Sequence, residues 1–143
     1  MIFSQNLIFS DQQAITATAA STNVIDLGAK LTPPHEGAAL SPDIGIGSKT
    51  CLLIQVTEAF DNLTSLNIAC QKDDNSAFSS PETIWDEDIV LAGLTVGARA
   101  LWEHISKRTD QQYLRLLYTV TGTGPTVGKI MAGITMGNQN DYG

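Results

Sequence analysis

Short segments in which apolar and polar residues alternate recur along the whole chain, and this period of two constrains the fold more than any other feature. Val, Ile, Leu and Thr dominate the segments, and clusters of Gly, Pro, Asn and Asp separate them. This pattern is typical of half-buried strands joined by turns. The predicted strands cover residues 14–20, 23–27, 51–58, 64–72, 83–92, 100–105, 112–121 and 127–136. About eight antiparallel strands predict an all-β fold, a β-sandwich or jelly roll.

The C-terminal third carries the clearest alternation, on both sides of the turn-forming stretch TGTGPTVG. Every second residue is apolar in both flanking segments: Leu114, Leu116, Tyr118 and Val120 before the turn, and Ile130, Ala132, Ile134 and Met136 after it. Strands of this kind turn the alternating set toward one face. We therefore predict a hairpin whose inward face carries these residues.

The chain has 143 residues, which suits a single domain spanning residues 1–143 with a substantial core. The longest region without strand character runs from 30 to 48, where LTPPHEG and AALSPDIGIGS contain residues that interrupt regular pairing. A structureless stretch of this length in a compact domain is usually functional, so we predict an extended loop that reaches a neighbouring molecule.

The charge of the chain argues against several classes of partner. Its formal net charge is -7, and the few basic residues do not cluster, so the chain repels phosphates and nucleic acid is not an expected partner. No apolar run reaches the roughly 18 residues that span a bilayer, so no membrane partner is expected. The N-terminus lacks the basic start and the cleavage site of a signal peptide, and we expect no export by that route.

The two cysteines fall out of phase in their predicted strands. Leu52, Ile54 and Val56 form the apolar set of one segment, which excludes Cys51, whereas Cys70 belongs to the apolar set of the other. If the two segments pair as a hairpin, the cysteines face opposite sides of the sheet and cannot be bridged without backbone movement. We predict two reduced thiols, with Cys70 buried.

Two acidic stretches are candidates for a metal or catalytic site. Asp73 and Asp74 lie between strands, but the glycine and the distal glutamate of an EF-hand are missing, so a turn is the preferred interpretation. Asp86 and Asp88 share one face of a predicted strand about 7 Å apart, as a carboxylate pair would. An exposed acidic edge strand has the same sequence, and we prefer that interpretation.

Other searches for chemistry give no enzyme. His35 and His104 stand apart from any nucleophile signature, and two His with two scattered Cys do not predict a zinc site. GTGPTVGK lacks the spacing and the following Ser or Thr of a phosphate-binding loop. We therefore predict no catalytic residue, no metal ligand and no cofactor. Trp85, Trp102 and Tyr113 allow an alternative function, a carbohydrate-binding module on a virion surface, although structural roles for these rings are favoured.

Several stretches in a fixed order carry a resemblance to a known family. They are LIFSDQQAITATAASTNVIDLG, LLIQVTEAF, TSLNIACQKDDNSAFSSPETI and YLRLLYTVTGTGPTVGKIMAGITM, and together they cover roughly two-thirds of the chain. The ordered set resembles the jelly-roll capsid cement proteins of tailed phages, of the Bordetella-phage type. The segments 85–108 and 30–48 depart from the resemblance.

The resemblance implies a structural virion protein, a decoration protein that binds the outside of the phage head and stabilises contacts between major capsid protein subunits. It also implies synthesis in the host bacterial cytoplasm, association into a homodimer or homotrimer, and no active site. The acidic composition, the missing export signal and the missing catalytic signature agree with this expectation.

Two extended pieces are the candidate contacts with the capsid or with a second copy. The first is an N-terminal arm, 1–13; the second is the tip of the extended loop 30–48. The candidate contact residues are Ile2, Phe3, Leu7, Ile8 and Phe9 in the arm and Pro33, Pro34 and His35 in the loop. For the arm an alternative is equally favoured, in which IFSQNLIF forms the first strand of its own sandwich.

Overall fold

The computed structural model describes residues 4–32, 34–35, 37–40, 42–44, 50–102, 105 and 109–135. Within them the chain forms nine β-strands and two three-residue 3₁₀ turns, at Gln5–Leu7 and Leu91–Gly93. The strands are β1 (Ile8–Ala14), β2 (Ala19–Ala20), β3 (Ile25–Asp26), β4 (Cys51–Glu58), β5 (Leu63–Asp73), β6 (Glu82–Val90), β7 (Arg99–Trp102), β8 (Tyr113–Gly122) and β9 (Lys129–Thr135). Neither helical turn of this described part approaches the length of a membrane-spanning helix.

The strands form two antiparallel sheets, and the predicted all-β sandwich is confirmed. The first sheet has the order β1-β9-β4-β7, and the second has the order β2-β8-β5-β6 with β3 also on β8. Because β2 and β3 both pair with β8 along one line, they act as a single interrupted edge strand. With that pair counted once, the eight positions follow the strand order of a jelly roll.

The core lies between the sheets and follows the alternation of the sequence. Every second residue of β8, from Leu114 through Leu116 to Tyr118, is fully buried, and so are Ile130 and Ala132 of β9. The other members of the core include Leu52, Ile54, Leu66, Ile68 and Ile25. The sequence therefore predicted correctly which side of β4, β5, β8 and β9 faces inward.

The predicted C-terminal hairpin is wrong, although the described residues of its inward faces are buried or packed against the core, as predicted. Met136, the last residue of the predicted set, lies outside the described residues. β8 pairs with β5, β2 and β3, whereas β9 pairs with β1 and β4 in the opposite sheet. The connection between β8 and β9 thus crosses from one sheet to the other. Alternation specifies which face of a strand is buried, but two facing sheets and a single sheet require the same alternation.

The postulated hairpin between the two cysteine-containing segments is also wrong, because β4 and β5 lie in different sheets. Neither cysteine forms a disulfide, and both are buried, as the sequence predicted for Cys70. Cys70 belongs to the core between the sheets, and Cys51 lies one residue out of phase with the core residue Leu52. Cys70 faces the core from one sheet, whereas Cys51 alternates with the core-facing Leu52 of the other sheet, so the two thiols point away from each other.

The segment 8–14 is the first strand of the sandwich and not an arm. Ile8 pairs with Gly133, Ser10 with Ala132 and Gln13 with Ile130, with two register irregularities between them. Gln12 lies in the second irregularity and adopts a positive φ of 48°. This β-bulge interrupts the alternation of the segment, which explains why the sequence pattern placed the first strand later.

One side of the sandwich is closed by hydrogen bonds between β1 and the β2–β3 edge. The backbone N–H of Asn23 donates to the Phe9 carbonyl at 2.9 Å, and the Asn23 amide donates to the Ile8 carbonyl at 3.2 Å. Further along, the Gln13 amide donates to the Ala20 carbonyl at 2.8 Å. These bonds occupy the edge of each sheet on this side.

Candidate functional site

Three connections gather at one end of the sandwich, which we call the long-loop end: 27–50, 74–81 and 103–112. The end strands place them together, since Asp26 and Asp73 both pair with Tyr113, and Lys72 pairs with Glu82. The remaining connections, 15–18, 59–62, 91–98 and 123–128, lie at the opposite end. The sequence singled out the first connection as the extended loop, so the candidate site begins there.

The extended loop narrows at a single backbone bridge between Leu31 and Leu40. The N–H of Leu40 donates to the Leu31 carbonyl at 2.8 Å, which brings the two residues side by side outside any sheet. Their side chains remain 73% and 60% exposed, the first of these being the highest value among the large apolar residues described. The two leucines therefore form a small exposed apolar patch outside both sheets.

Pro34 and His35 form the turn beyond this bridge, and both are exposed. All the described residues between Leu31 and Leu40 are exposed as well, so this part of the loop projects into solvent. The structure thus presents Pro34 and His35, which the sequence selected, on a bridge whose two leucines it did not select. The two leucines are the first and last residues of LTPPHEGAAL, whose prolines predict a loop but do not predict a bridge.

The return of the extended loop is anchored to the body of the sandwich by Thr109, whose side chain is fully buried. Its hydroxyl donates to the Asp43 carboxylate at 2.7 Å and accepts the backbone N–H of Ile44 at 3.0 Å. Ile44 also packs against the core. The Leu31–Leu40 bridge therefore joins two parts of the loop to each other, and Thr109 joins the loop to the body of the sandwich.

A buried lysine fastens the remaining connections of the long-loop end. The Lys72 ammonium lies 2.5 Å from Asp110 and 3.3 Å from Glu82, and only 4% of the Lys72 residue is exposed. Burial disfavours its charge, but the hydrogen bonds to Asp110 and Glu82 outweigh burial and raise its pKa. The hydrogen bond from Lys72 in turn lowers the pKa of Asp110. The cluster ties β5 to β6 and to the segment before β8.

The acidic stretch after β5 forms a turn, as the sequence predicted. Asp73 accepts the backbone N–H of Asn75 at 3.0 Å and that of Ser80 at 2.9 Å, so its carboxylate spans the whole connection 74–81. Asn75 accepts the N–H of Ala77 at 2.9 Å. In the described part of the chain, no group of three or more His, Cys, Asp or Glu side chains is arranged to hold a metal ion.

Phe78 closes this turn over the outer face of the second sheet. Its side chain is buried, its φ is 51°, and the Arg115 guanidinium lies 4.2 Å from the centre of its ring. Arg115 also donates to Gln71 at 2.9 Å. A cation above an aromatic face is attractive, so this contact holds the loop against the outer face of the sheet.

The candidate contact residues of the N-terminal segment differ in how deeply they are buried. Phe9 is 1% exposed and belongs to the core, so it is not a surface anchor; the burial of its ring stabilises the sandwich itself. Leu7 is partly buried and packs against that core, and Ile8 is half-buried at the start of β1. Ile2, Phe3 and Pro33 lie outside the described residues.

Two alternatives from the sequence remain for the described residues: a carboxylate pair on β6, and an aromatic platform for a sugar. The Asn67 amide donates to Asp86 at 3.0 Å on the outer face, as expected of an exposed edge strand. Trp85 packs against the core, and Tyr113 is half-buried at the start of β8. The side chains of Trp102 and His104 lie outside the described part of the chain. The described rings therefore make no common platform.

The Bbp16 family model matches residues 9–134, which include every strand except the first residue of β1 and the last residue of β9. No curated protein matches the chain. The matched span includes the extended loop and all three connections of the long-loop end. The chain therefore belongs to the Bbp16 family, whose name points to a protein of a Bordetella phage.

Proposed function

We propose that the chain is a capsid cement protein that binds the outside of a phage head and stabilises contacts between major capsid protein subunits. Membership of the Bbp16 family supports a phage protein. The observation that carries the finer assignment is the exposed pair Leu31 and Leu40, held together by a backbone bridge on an anchored loop. In this role the chain binds rather than catalyses, and we assign it no catalytic residue.

Binding through this pair follows from the hydrophobic effect. Burying one leucine side chain contributes about 1.5–3 kcal/mol, so two leucines supply a modest affinity per copy. Their bridge and the Thr109 anchor order the loop before it binds, which lowers the entropy cost of association. A homodimer or homotrimer would present two or three such loops, and avidity would then raise the occupancy of the head.

The other proposed contacts are Pro34 and His35 at the turn of the loop and Ile2 and Phe3 at the N-terminus. The half-buried side chains of Leu7 and Ile8 would continue the N-terminal contact at the surface of the sandwich. Deletion of residues 1–3 removes none of the described residues and tests the N-terminal contact separately. Unchanged occupancy of heads by that variant would confine the contact to the extended loop.

The decisive experiment compares two serine variants for binding to purified heads that lack the protein. Leu31→Ser with Leu40→Ser should weaken binding by at least about tenfold, because the variant no longer buries two leucine side chains against the capsid. Val127→Ser is the matched control, since Val127 is 45% exposed at the opposite end. The thermal stability of both variants should match that of the parent protein. Equal occupancy by the leucine variant and the parent would contradict the proposal.

A further inference from the structure

The edge strands β6 and β7 lie on the side of the sandwich away from β1 and β2–β3. A crevice of about 140 Å³ enters the core there. Glu87 of β6, Gly93 of the 3₁₀ turn and Arg99 of β7 are exposed and surround its mouth. The crevice is therefore accessible from solvent without any movement of the two sheets.

The inner walls of the crevice are aliphatic. Ile54, Val56, Ile68 and Ile130 line it, and each is no more than 4% exposed, while Ile89 and Leu94 form its outer part. An aliphatic cavity of roughly this size, about 150 Å³, accommodates a benzene-sized group. The crevice thus has the volume and the chemistry to bury a single Leu, Ile or Phe side chain.

Two exposed apolar residues lie near the lining of the crevice in the sequence. Val90 follows Ile89 at the end of β6 and is 60% exposed, and Val96 lies between Leu94 and Ala98 and is 67% exposed. Neither of them lines the crevice. Exposed apolar side chains on the elements that form an apolar crevice are a feature of docking surfaces.

The charge of β6 is acidic. Asp86 and Asp88 lie on the outer face of the second sheet, Glu87 lines the crevice together with Arg99, and β6 contains no basic residue. β6 is also an edge strand of its sheet, so one row of its backbone groups faces away from β5. Acidic side chains beside an apolar crevice favour a partner that combines basic and apolar residues.

We propose that this crevice, together with the β6 edge, docks an extended basic segment of a partner protein. One apolar side chain of the segment fills the crevice, and the basic residues on either side of it point to the outer face of the sheet, beside Asp86 and Asp88. The segment runs alongside β6 and adds a strand to the second sheet. The inference stands on the crevice and its charge and does not depend on the contact at Leu31 and Leu40.

The test uses three capped hexapeptides, KVKVKV, EVEVEV and KSKSKS, titrated into the ¹⁵N-labelled protein while amide chemical shifts are recorded. KVKVKV should shift the amides of Ile89, Gly93, Leu94 and Ala98 in a saturable manner. EVEVEV lacks the positive charge and KSKSKS lacks the apolar side chain, so each should bind at least about fivefold more weakly. Added salt should weaken KVKVKV binding, because rim charges are screened.

Two variants connect the shifts with the crevice. Ala98→Leu fills the crevice from its own wall and should weaken KVKVKV binding by about fivefold, whereas Ala92→Leu, at an exposed position outside the lining, should not. Asp88→Lys should reduce the preference for KVKVKV over EVEVEV without filling any space. Thermal unfolding identifies a variant that fails to fold, and Asp88→Lys then carries the test alone. Equal binding of the three peptides, shifts at another surface, or unaltered binding by Ala98→Leu and Asp88→Lys overturns the proposal.

Discussion

The hydroxyl of Tyr118 lies 2.7 Å from the hydroxyl of Ser10, and this hydrogen bond joins the two sheets across the core. Both residues are fully buried, one on β8 and the other on β1. Ser10 donates onward to the Gln13 side chain at 2.7 Å, so Tyr118 is the donor in the first bond. These hydrogen bonds therefore form a chain that runs from Tyr118 in the core, through Ser10 and Gln13, to the β2 edge.

Removal of either hydroxyl alone should lower the free energy of unfolding by more than half of the loss caused by removing both. Ser10→Ala leaves the buried Tyr118 hydroxyl without its partner and should lower the free energy of unfolding by about 1–3 kcal/mol. In the double variant Ser10→Ala with Tyr118→Phe, the second substitution should cost less than it does alone. Urea unfolding of all four proteins gives the coupling energy. Strict additivity would show that the hydroxyls do not interact.

The Lys72 cluster should respond unequally to loss of its cation and loss of its anions. The side chains of Glu82 and Asp110 are 48% and 53% exposed, so they become hydrated when Lys72→Met removes the charge, and the cost should be under about 1 kcal/mol. Glu82→Gln with Asp110→Asn instead leaves a buried ammonium without an anion and should cost about 2–4 kcal/mol. Chemical denaturation at neutral pH measures both, and the reverse order would contradict this account.

Stability should fall on the alkaline side of neutrality. Burial raises the pKa of the Cys70 thiol from 9.0 to about 12, and burial also raises the pKa of the Tyr118 phenol. The unfolded chain therefore releases these protons at a lower pH than the folded chain does. The resulting stability is fully present below pH 9 and is lost as pH rises toward 12.

Cys70→Ala isolates the thiol part of this effect. The parent protein should lose up to about 1.4 kcal/mol per pH unit from this group alone as pH rises above 9. The variant starts from a lower stability, because a core atom is missing, but its slope over the same range should be smaller. Free energies of unfolding at several pH values give the two slopes. Identical slopes would exclude Cys70 as their source.

Gly128 should tolerate no side chain, because it touches an aromatic ring. Its φ is 137°, and a β-carbon there would lie 2.4 Å from the Phe60 ring. Gly28 also has a positive φ, 89°, but a β-carbon there would meet nothing within 4 Å. Gly28→Ala should therefore cost only backbone strain, about 1 kcal/mol. Gly128→Ala should cost about 3 kcal/mol or more, and equal losses in thermal unfolding would contradict the steric account.

Asp73 should act in the structure of its own loop and not as a cation ligand. An amide at this position has one acceptor oxygen, so Asp73→Asn can accept only one of the N–H groups of Asn75 and Ser80. We expect a thermal midpoint lower by several degrees and faster proteolysis within 74–81. Asp74→Asn, at an exposed neighbour, is the control. A midpoint of the parent protein that falls on addition of EDTA would instead reveal a bound cation.

The sequence predicted the strands and their buried faces better than their partners. The segment 51–58 matches β4 in its bounds, and Leu114, Leu116 and Tyr118 face inward as predicted. Pairing failed because alternation depends on burial, which does not distinguish a neighbour in the same sheet from one in the facing sheet. β1 was uncertain because its bulge at Gln12 breaks the period of two.

The candidate site was predicted only in part, for a similar reason. The prolines identified the extended loop, and with it Pro34 and His35, because proline restricts the local backbone and interrupts strand pairing. Leu31 and Leu40 are exposed because the chain happens to bridge outside both sheets, and such a bridge has no local pattern. Phe9 was assigned to the surface because an apolar residue near a terminus looks the same in sequence whether it fills a core or contacts a partner.

The passage of the chain between the two sheets has a consequence for its synthesis. β1, β4, β7 and β9 form one sheet, so that sheet needs residues from Ile8 to Thr135, and no contiguous piece of the chain contains it alone. A nascent chain that lacks β9 leaves β1 and β4 without the strand that lies between them. Such a topology folds slowly, and its nearly complete intermediates expose unpaired edges. Chains that end before β9 should therefore fail to form a stable domain and should be degraded. Only a chain that includes β9 can form the complete sandwich.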